Sequence, residues 1–151
     1  MISNKSVSQD RLAVDVSLLV VRVAVGIIFA AHGAQKMWGW FDGPGLAEKV
    51  NKMGIMGYPV SIGEFFGGLG LIVGFLSRFS AASLIVIMIG AVAMVHGKNG
   101  FFMDKGGFEY NLALIGLLVP TLFAGPGHFS IGRFLPLPKS IRSDRPVLFL
   151  E

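Results

Sequence analysis

The chain has 151 residues, 53% of them hydrophobic and 15% charged, and a mean hydropathy of +0.68 excludes an ordinary soluble domain. Its formal charge of +4 and pI near 9.7 reflect cations that flank apolar runs and meet anionic lipid; no basic stripe interleaved with aromatics marks a nucleic-acid groove. Cysteine is absent, which excludes a disulfide relay, a Cys-ligated iron–sulfur cluster, a thiolate zinc site and a cysteine nucleophile within this polypeptide, so any redox role falls to a bound cofactor, a quinone or a partner.

Residues 1–15 are polar and mixed in charge, with Lys5 and Arg11, and read as a tail leading into a short amphipathic start. From Val16 to about Met37 the composition suits a membrane-crossing helix, yet the run carries Arg22, His32, Gln35 and Lys36. Charge in hydrocarbon is costly, so these groups should face a bundle interior, a water-filled cavity or the headgroups. Arg22, Gly26, Phe29, Gly33 and Lys36 recur at the spacing of one helix face. That stripe is predicted to look inward, with its glycines admitting a neighbouring backbone. The run reads as a span and not as a cleaved signal peptide, because the polar tail before it is long. Trp38 and Trp40 follow where amphipathic rings anchor at the bilayer boundary. Asp42 to Tyr58 opens on Gly-Pro-Gly and spaces Leu46, Val50 and Met53 for a short surface helix, either a lid over the bundle or a connector in the headgroups.

Pro59 to Leu76 is the second apolar run, with Glu64 near its start and Gly63, Gly67, Gly70 and Gly74 forming a close-packing stripe. Glu64 is either a paired functional carboxylate or a first-turn group stabilised by the helix dipole. Ser77-Arg78 reads as a very short turn that makes the second and third spans an antiparallel hairpin. The third span runs from Phe79 to about Gly97, with Gly90, Ala93 and Gly97 as its close-packing face and His96 at its far end. After a turn-rich loop over 98–108, Glu109, Tyr110 and Asn111 begin a fourth run to about Ala124, in which Pro120 is predicted to kink the helix or end it early. Glu109, Ala113, Gly116 and Pro120 share one face. Beyond Gly125-Pro126-Gly127 the chain is basic, with His128, Arg133, Lys139, Arg142 and Arg145 among prolines 136, 138 and 146, and is predicted to lie at the membrane surface.

The expected fold is therefore all-α: a polytopic membrane four-helix bundle with a short interfacial helix after the first span. Its segments are an N-terminal tail (1–15), the transmembrane domain (16–127) and a basic C-terminal tail (128–151). Seven cations on the side of the termini against five on the other predict that both termini are cytoplasmic.

In this topology His32 and Lys36 close the first span, Glu64 opens the second, His96 closes the third and Glu109 opens the fourth. All lie within about two turns of the outer boundary at a rise of about 1.5 Å per residue, which suggests a shared polar pocket. Four uses of it are open. The pocket can be a structural lock, with Lys36 paired to Glu64 or Glu109. It can be a quinone site, with His32, Lys36 or His96 donating to a ring carbonyl and Glu64 or Glu109 exchanging protons. Two imidazoles and two carboxylates, His32, Glu64, His96 and Glu109, also form a conceivable metal set, although no pair has a local ligand spacing. Haem between His32 and His96 is the weakest of the four.

The text from His32-Gly33-Ala34-Gln35-Lys36 into Gly39-Trp40-Phe41 has a familiar pattern. So do Glu64 with Gly67-Gly68, Gly74-Phe75-Leu76-Ser77-Arg78, His96 with Asn99-Gly100-Phe101-Phe102, Glu109-Tyr110, and Gly125-Pro126-Gly127 with Ser130. Together they resemble the DoxX family of small bacterial inner-membrane proteins, related to the large subunit of thiosulfate:quinone oxidoreductase, over about residues 15 to 135. The resemblance implies a four-helix inner-membrane protein that is a component or partner in redox or oxidative-stress complexes. It also adds Gln35, Asn99 and Tyr110 to a cofactor-binding set of His32, Lys36, Glu64, His96 and Glu109. Two positions depart from the family pattern: Asn111 stands where a proline often follows Glu-Tyr, and Gly132 where an acidic residue often follows the Gly-Pro-Gly turn.

The reading that results is a quinone-linked oxidoreductase component with Glu64, His32, His96 and Glu109 as catalytic candidates and a protein partner. Its rivals are a non-enzymatic scaffold for such a complex and a small-molecule carrier, for which Arg22 and Pro120 are the hints of a route to the second side.

Overall fold

The computed structural model describes residues 4–135, with side chains from residue 8 onward; Lys139, Arg142, Arg145 and the prolines of the C-terminal tail lie outside the described residues. Among the described residues five α-helices follow one another: α1 (Asn4–Trp38), α2 (Gly45–Met53), α3 (Gly57–Val73), α4 (Ser77–Ala91) and α5 (Glu109–Ala124). Helices α1, α3, α4 and α5 form the bundle, and α2 is the short interfacial helix. Three stretches, Ser8–Trp38, Gly45–Val73 and Ser77–Asn99, are long and apolar enough to cross a bilayer, while α5 is a shorter apolar helix.

Helix α1 starts a dozen residues before the expected Val16. No glycine or proline precedes Gly26, so nothing in the polar stretch stops the helix from extending beyond its apolar part. Toward its other end Arg22, Gly26, Phe29 and Gly33 are all buried and face α3, as the spacing predicts. The two helices run antiparallel in very close contact. A Cβ on Gly26 would sit 2.7 Å from the Gly68 carbonyl oxygen, and one on Gly68 would sit 2.5 Å from the Ala30 nitrogen. In lipid, where apolar burial drives little association, such backbone-to-backbone packing is what holds helices together.

Helix α3 uses its other side against α4: Gly63, Gly67 and Gly70 meet Ile87, Leu84 and Ser80. The chain reverses at Gly74 to Leu76, a few residues earlier than Ser77-Arg78, and Ser77 is already the first residue of α4. Gly74 adopts the left-handed conformation (φ 74°) and the Phe75 amide donates to the Gly70 carbonyl at 2.9 Å, a Schellman ending that the glycine makes accessible. The hairpin itself is as predicted.

On α4 the packed residues are Ser77, Ser80, Ala81, Leu84 and Met88. Gly90 of the expected small-residue face has open space at its Cβ position, so that face makes no close contact there. Helix α5 buries Asn111, Leu114, Leu118 and Thr121 against the bundle. It continues through Pro120 to Ala124, the end expected for the fourth run. The core joins Val25, Phe29, Leu71, Ala81, Leu84, Met88, Leu114 and Leu118 from all four bundle helices.

Arg22 explains how the other end of the bundle closes. Its guanidinium is 2% exposed and donates to the Ile72 carbonyl (2.8 Å) at the open end of α3, to the Leu71 carbonyl (2.7 Å), which the Gly74 amide also reaches at 3.3 Å, and to Phe129 O. A cation at a helix C-terminus also opposes the negative end of the dipole. Gly132 then docks on the same turn through its amide to Gly74 O (3.2 Å), where a Cβ would stand 2.8 Å from that oxygen. The acidic side chain that the resemblance led us to expect at this position has no room beside that oxygen.

Candidate functional site

The antiparallel order puts His32, Lys36, Glu64, His96 and Glu109 at one end of the bundle, but it does not gather them into one site. Lys36 and Glu64 form an ion pair, with side-chain exposures of 19% and 3%. Gly33 brings them together. Because Gly33 lacks a side chain, the Phe65 backbone presses directly against α1, and the carboxylate one residue before Phe65 reaches the ammonium three residues after Gly33.

His32 is exposed on the flank of this stripe, with Nδ1 3.2 Å from Gln35 Oε1. Gln35 in turn donates to the Phe41 carbonyl (3.3 Å) and pins the turn that follows α1. His96 ends a stretch where α4 widens into π-helical turns over Val92–His96, an irregularity often found at functional sites. Its Nδ1 lies 2.7 Å from the Gly106 carbonyl, to which Asn99 also donates (3.1 Å). A carbonyl oxygen only accepts, so Nδ1 carries the proton and Nε2 is left as the acceptor. Glu109 is exposed and accepts from the Met103 amide (3.0 Å). Tyr110 is 37% exposed. His96, Asn99 and Glu109 thus organise the 97–108 loop.

Among the described residues no three His, Asp or Glu side chains are placed to hold a metal ion. The metal set of His32, Glu64, His96 and Glu109 therefore has no geometry behind it: two of its members hold loop backbone, one pairs with a lysine and one faces outward. The reason is angular. Height along a helix follows from sequence position, whereas the direction each side chain faces depends on how the helix packs. Helix α5 buries the Asn111 side, where Asn111 Nδ2 donates to the Met88 sulfur (3.4 Å), and Glu109 falls away from the bundle.

One member of the site escapes the sequence reading. Lys49 of α2 lies within electrostatic reach of both Lys36 and Glu64. Helix α2 is seated tightly, since a Cβ on Gly57 would stand 2.9 Å from the Val50 backbone, and Lys49 follows Leu46 by one turn on its inner face. That i, i+3 spacing is the signal available in the sequence. Burial, then the neighbouring Lys36 and Lys52 ammonium groups, hold Lys49 below the ordinary lysine range, against the pull of Glu64 and Glu48. For a base so depressed, the folded state loses its proton at lower pH than the unfolded chain. Below that range both states are charged and the fold bears the strain; rising pH relieves it. Replacing Lys49 with Gln should therefore raise the melting temperature at neutral pH. The advantage should shrink as pH enters the lysine range, which thermal unfolding in detergent at stepped pH measures.

Around the pair lies an aromatic collar. Trp38 packs edge-on against Phe65 at 4.7 Å and near Trp40 at 5.5 Å, and both tryptophans are about half exposed, as suits a bilayer boundary. Exchange of a proton or a charged hydrogen bond between a sheltered carboxylate and a partly exposed ammonium is the chemistry this end offers.

The family model for DoxX matches residues 17–97. The chain is similar to the inner membrane protein YqjF of Escherichia coli (strain K12), with 30% identity over 124 residues, covering 80% of this chain and 93% of that protein. It is also similar to the "Uncharacterized membrane protein Rv3486" of Mycobacterium tuberculosis (strain ATCC 25618 / H37Rv), 27% identical across 79% of this chain and 81% of that one. A third relative is the "Putative oxidoreductase CatD" of Bacillus subtilis (strain 168), 29% identical across 66% and 74% of the two chains. No solved structure matches significantly. The matched region runs from the buried face of α1 through Glu64 to the end of the π-helical turns, and the protein belongs to the DoxX family.

Proposed function

We propose that this membrane protein is an inner-membrane component of a quinone-linked redox system, with both termini cytoplasmic and the Lys36–Glu64 pair at the outer end as its working group. The observation that carries the reading is a glutamate side chain only 3% exposed inside an apolar helix, joined to an ammonium that retains 19% exposure. Ionisable groups at such depth mark proton or substrate handling more often than chance placement. A quinone would supply the capacity to take up two electrons and two protons. Lys36 would donate a hydrogen bond from the partly exposed side, Glu64 would hold or release the proton beneath it, and Lys49 would bias the pair by its charge. Electrons would come from a partner protein; the name of the Bacillus relative supports a redox role of this kind.

A second reading is favoured by a different observation. The open apolar groove of about 1100 Å³ between α3 and α4, lined by Gly63, Gly67 and Gly70, lies on the opposite side of α3 from Glu64. A pair whose side chains do not line that groove fits a lock in a scaffold subunit. Titration of the purified protein in nanodiscs with ubiquinone-1, followed by quenching of Trp38 and Trp40, separates the two. Saturable quenching that weakens at least about tenfold in Glu64→Gln, with unchanged melting temperature, supports the redox reading. Absent or unaltered quenching leaves the scaffold.

A further inference from the structure

At the end of the bundle opposite Lys36, an open pocket of about 640 Å³ lies between the last turn of α3, the middle of α1 and the segment after the Gly-Pro-Gly turn. Its polar lining consists of Arg22, His128, Ser130 and Arg133, set among Leu19, Phe129 and other apolar side chains. No lining residue is acidic; the nearby carboxylate of Asp15 accepts the His128 amide at 2.8 Å.

Two features set this pocket apart from a solvated basic patch. Arg22 is 2% exposed, and its three hydrogen bonds all go to neutral carbonyls. Among the described residues no carboxylate pairs with it, and its Nε, buried, has no hydrogen-bond partner. A guanidinium left with uncompensated charge and an unused donor is costly unless an anion approaches it. Second, the wall is amphipathic. Arg133 spends one N–H on the His128 carbonyl (2.8 Å) and rests over the Phe134 ring (5.3 Å), which leaves the rest of its fork free, while Ile72 and Val73 provide hydrocarbon at the same height.

We propose that this pocket binds the phosphate of an anionic phospholipid, with Arg22 supplying the fixed charge, Arg133 the adaptable donor, and the apolar wall the start of the acyl chains. The chemistry requires a monoanionic phosphodiester attached to lipid. The occupant also completes the seam between α3 and the 128–134 segment, because Arg22 bridges the Leu71 and Ile72 carbonyls to Phe129 O while Arg133 braces the segment internally through His128 O. This reading stands apart from the quinone proposal, whose residues are at the other end.

Short-chain probes test it without a bilayer. Detergent-solubilised protein is titrated with dihexanoyl-phosphatidylglycerol, dihexanoyl-phosphatidylcholine or inorganic phosphate, and binding is read by native mass spectrometry and by melting temperature. The glycerol lipid should bind and stabilise, the choline lipid much less, and inorganic phosphate not at all. Arg133→Ala should weaken phosphatidylglycerol binding about fivefold, Arg133→Lys less, and Lys52→Ala at the opposite end not at all. Equal binding of both lipids, or undiminished binding by Arg133→Ala, overturns the proposal. Inorganic phosphate binding as well as the lipid also overturns it and makes the pocket a soluble-anion site. If Arg133→Ala melts lower without ligand, the Arg133→Lys comparison still decides, because charge is retained and the fork is lost.

Discussion

Replacing Lys36 with Met should cost about 3 kcal/mol of stability, near the lower end of the range for breaking a sheltered ion pair because the lysine retains 19% exposure. Glu64 is then left at 3% exposure without its partner. The reverse substitution, Glu64→Leu, should cost only about 1 kcal/mol, since a lysine near the end of α1 can extend its stem and carry the ammonium to the headgroups. Removing both charges in Lys36→Met/Glu64→Leu should return the protein to within about 1 kcal/mol of the native chain, as apolar replacements of buried pairs commonly do. Unfolding of the four proteins in mixed detergent closes the cycle. Equal costs for the two single variants would mean that Glu64 is not confined as described; a double variant worse than either single would mean that the pair contributes more than it costs to desolvate.

This asymmetry also shows how far the sequence could be read. The stripe from Arg22 to Lys36 was legible because lipid leaves charged groups one direction to face, and a period of three and four residues then fixes the face. Glu64 was legible as a carboxylate that could pair with Lys36, but the glycine stripe beside it, Gly63, Gly67 and Gly70, packs on α4 and not on the helix that Glu64 meets. His96 and Glu109 were not, since each sits at a helix end where backbone amides and carbonyls of the adjoining loop compete for it. At such a position a polar side chain has a local partner available, and nothing forces it toward the bundle axis. Helix α5 makes the ambiguity explicit: Asn111, Leu114, Leu118 and Thr121 form one periodic stripe and Glu109, Ala113, Gly116 and Pro120 another, and the apolar character of both allows either to face inward. Packing against Met88 and the rest of α4 decides for the first. Arg22 was recognised as needing partners, but the carbonyls that meet it at the end of α3 are a property of the fold and are invisible in a residue pattern.

Glycine substitutions should divide along the same line, and with the largest effects in the molecule. Gly33→Ala and Gly68→Ala are expected to lose about 3 kcal/mol or to prevent assembly, because each new methyl would meet backbone rather than a movable side chain. At Gly68 the nearest atoms are the Ala30 nitrogen at 2.5 Å and the Gly26 oxygen at 2.7 Å, so α1 and α3 must move apart to admit it. Separation at Gly33 also draws Phe65 away and with it Glu64 from Lys36, so Gly33→Ala should be non-additive with the ion-pair cycle: once the helices part, Lys36→Met should cost less than it does in the native chain. Gly67→Ala, whose methyl would face the Leu84 side chain at 3.2 Å, should cost less than either. Gly90→Ala and Gly116→Ala meet nothing within 4 Å and should instead gain about 0.5 kcal/mol, since alanine gives up less chain freedom in a helix than glycine. Melting temperature and monodispersity of the five alanine variants measure the division. Similar losses at Gly90 and Gly116 would place a partner on those faces; tolerance at Gly68 would mean that α1 and α3 are not in backbone contact, and the geometry that delivers Glu64 to Lys36 would go with it.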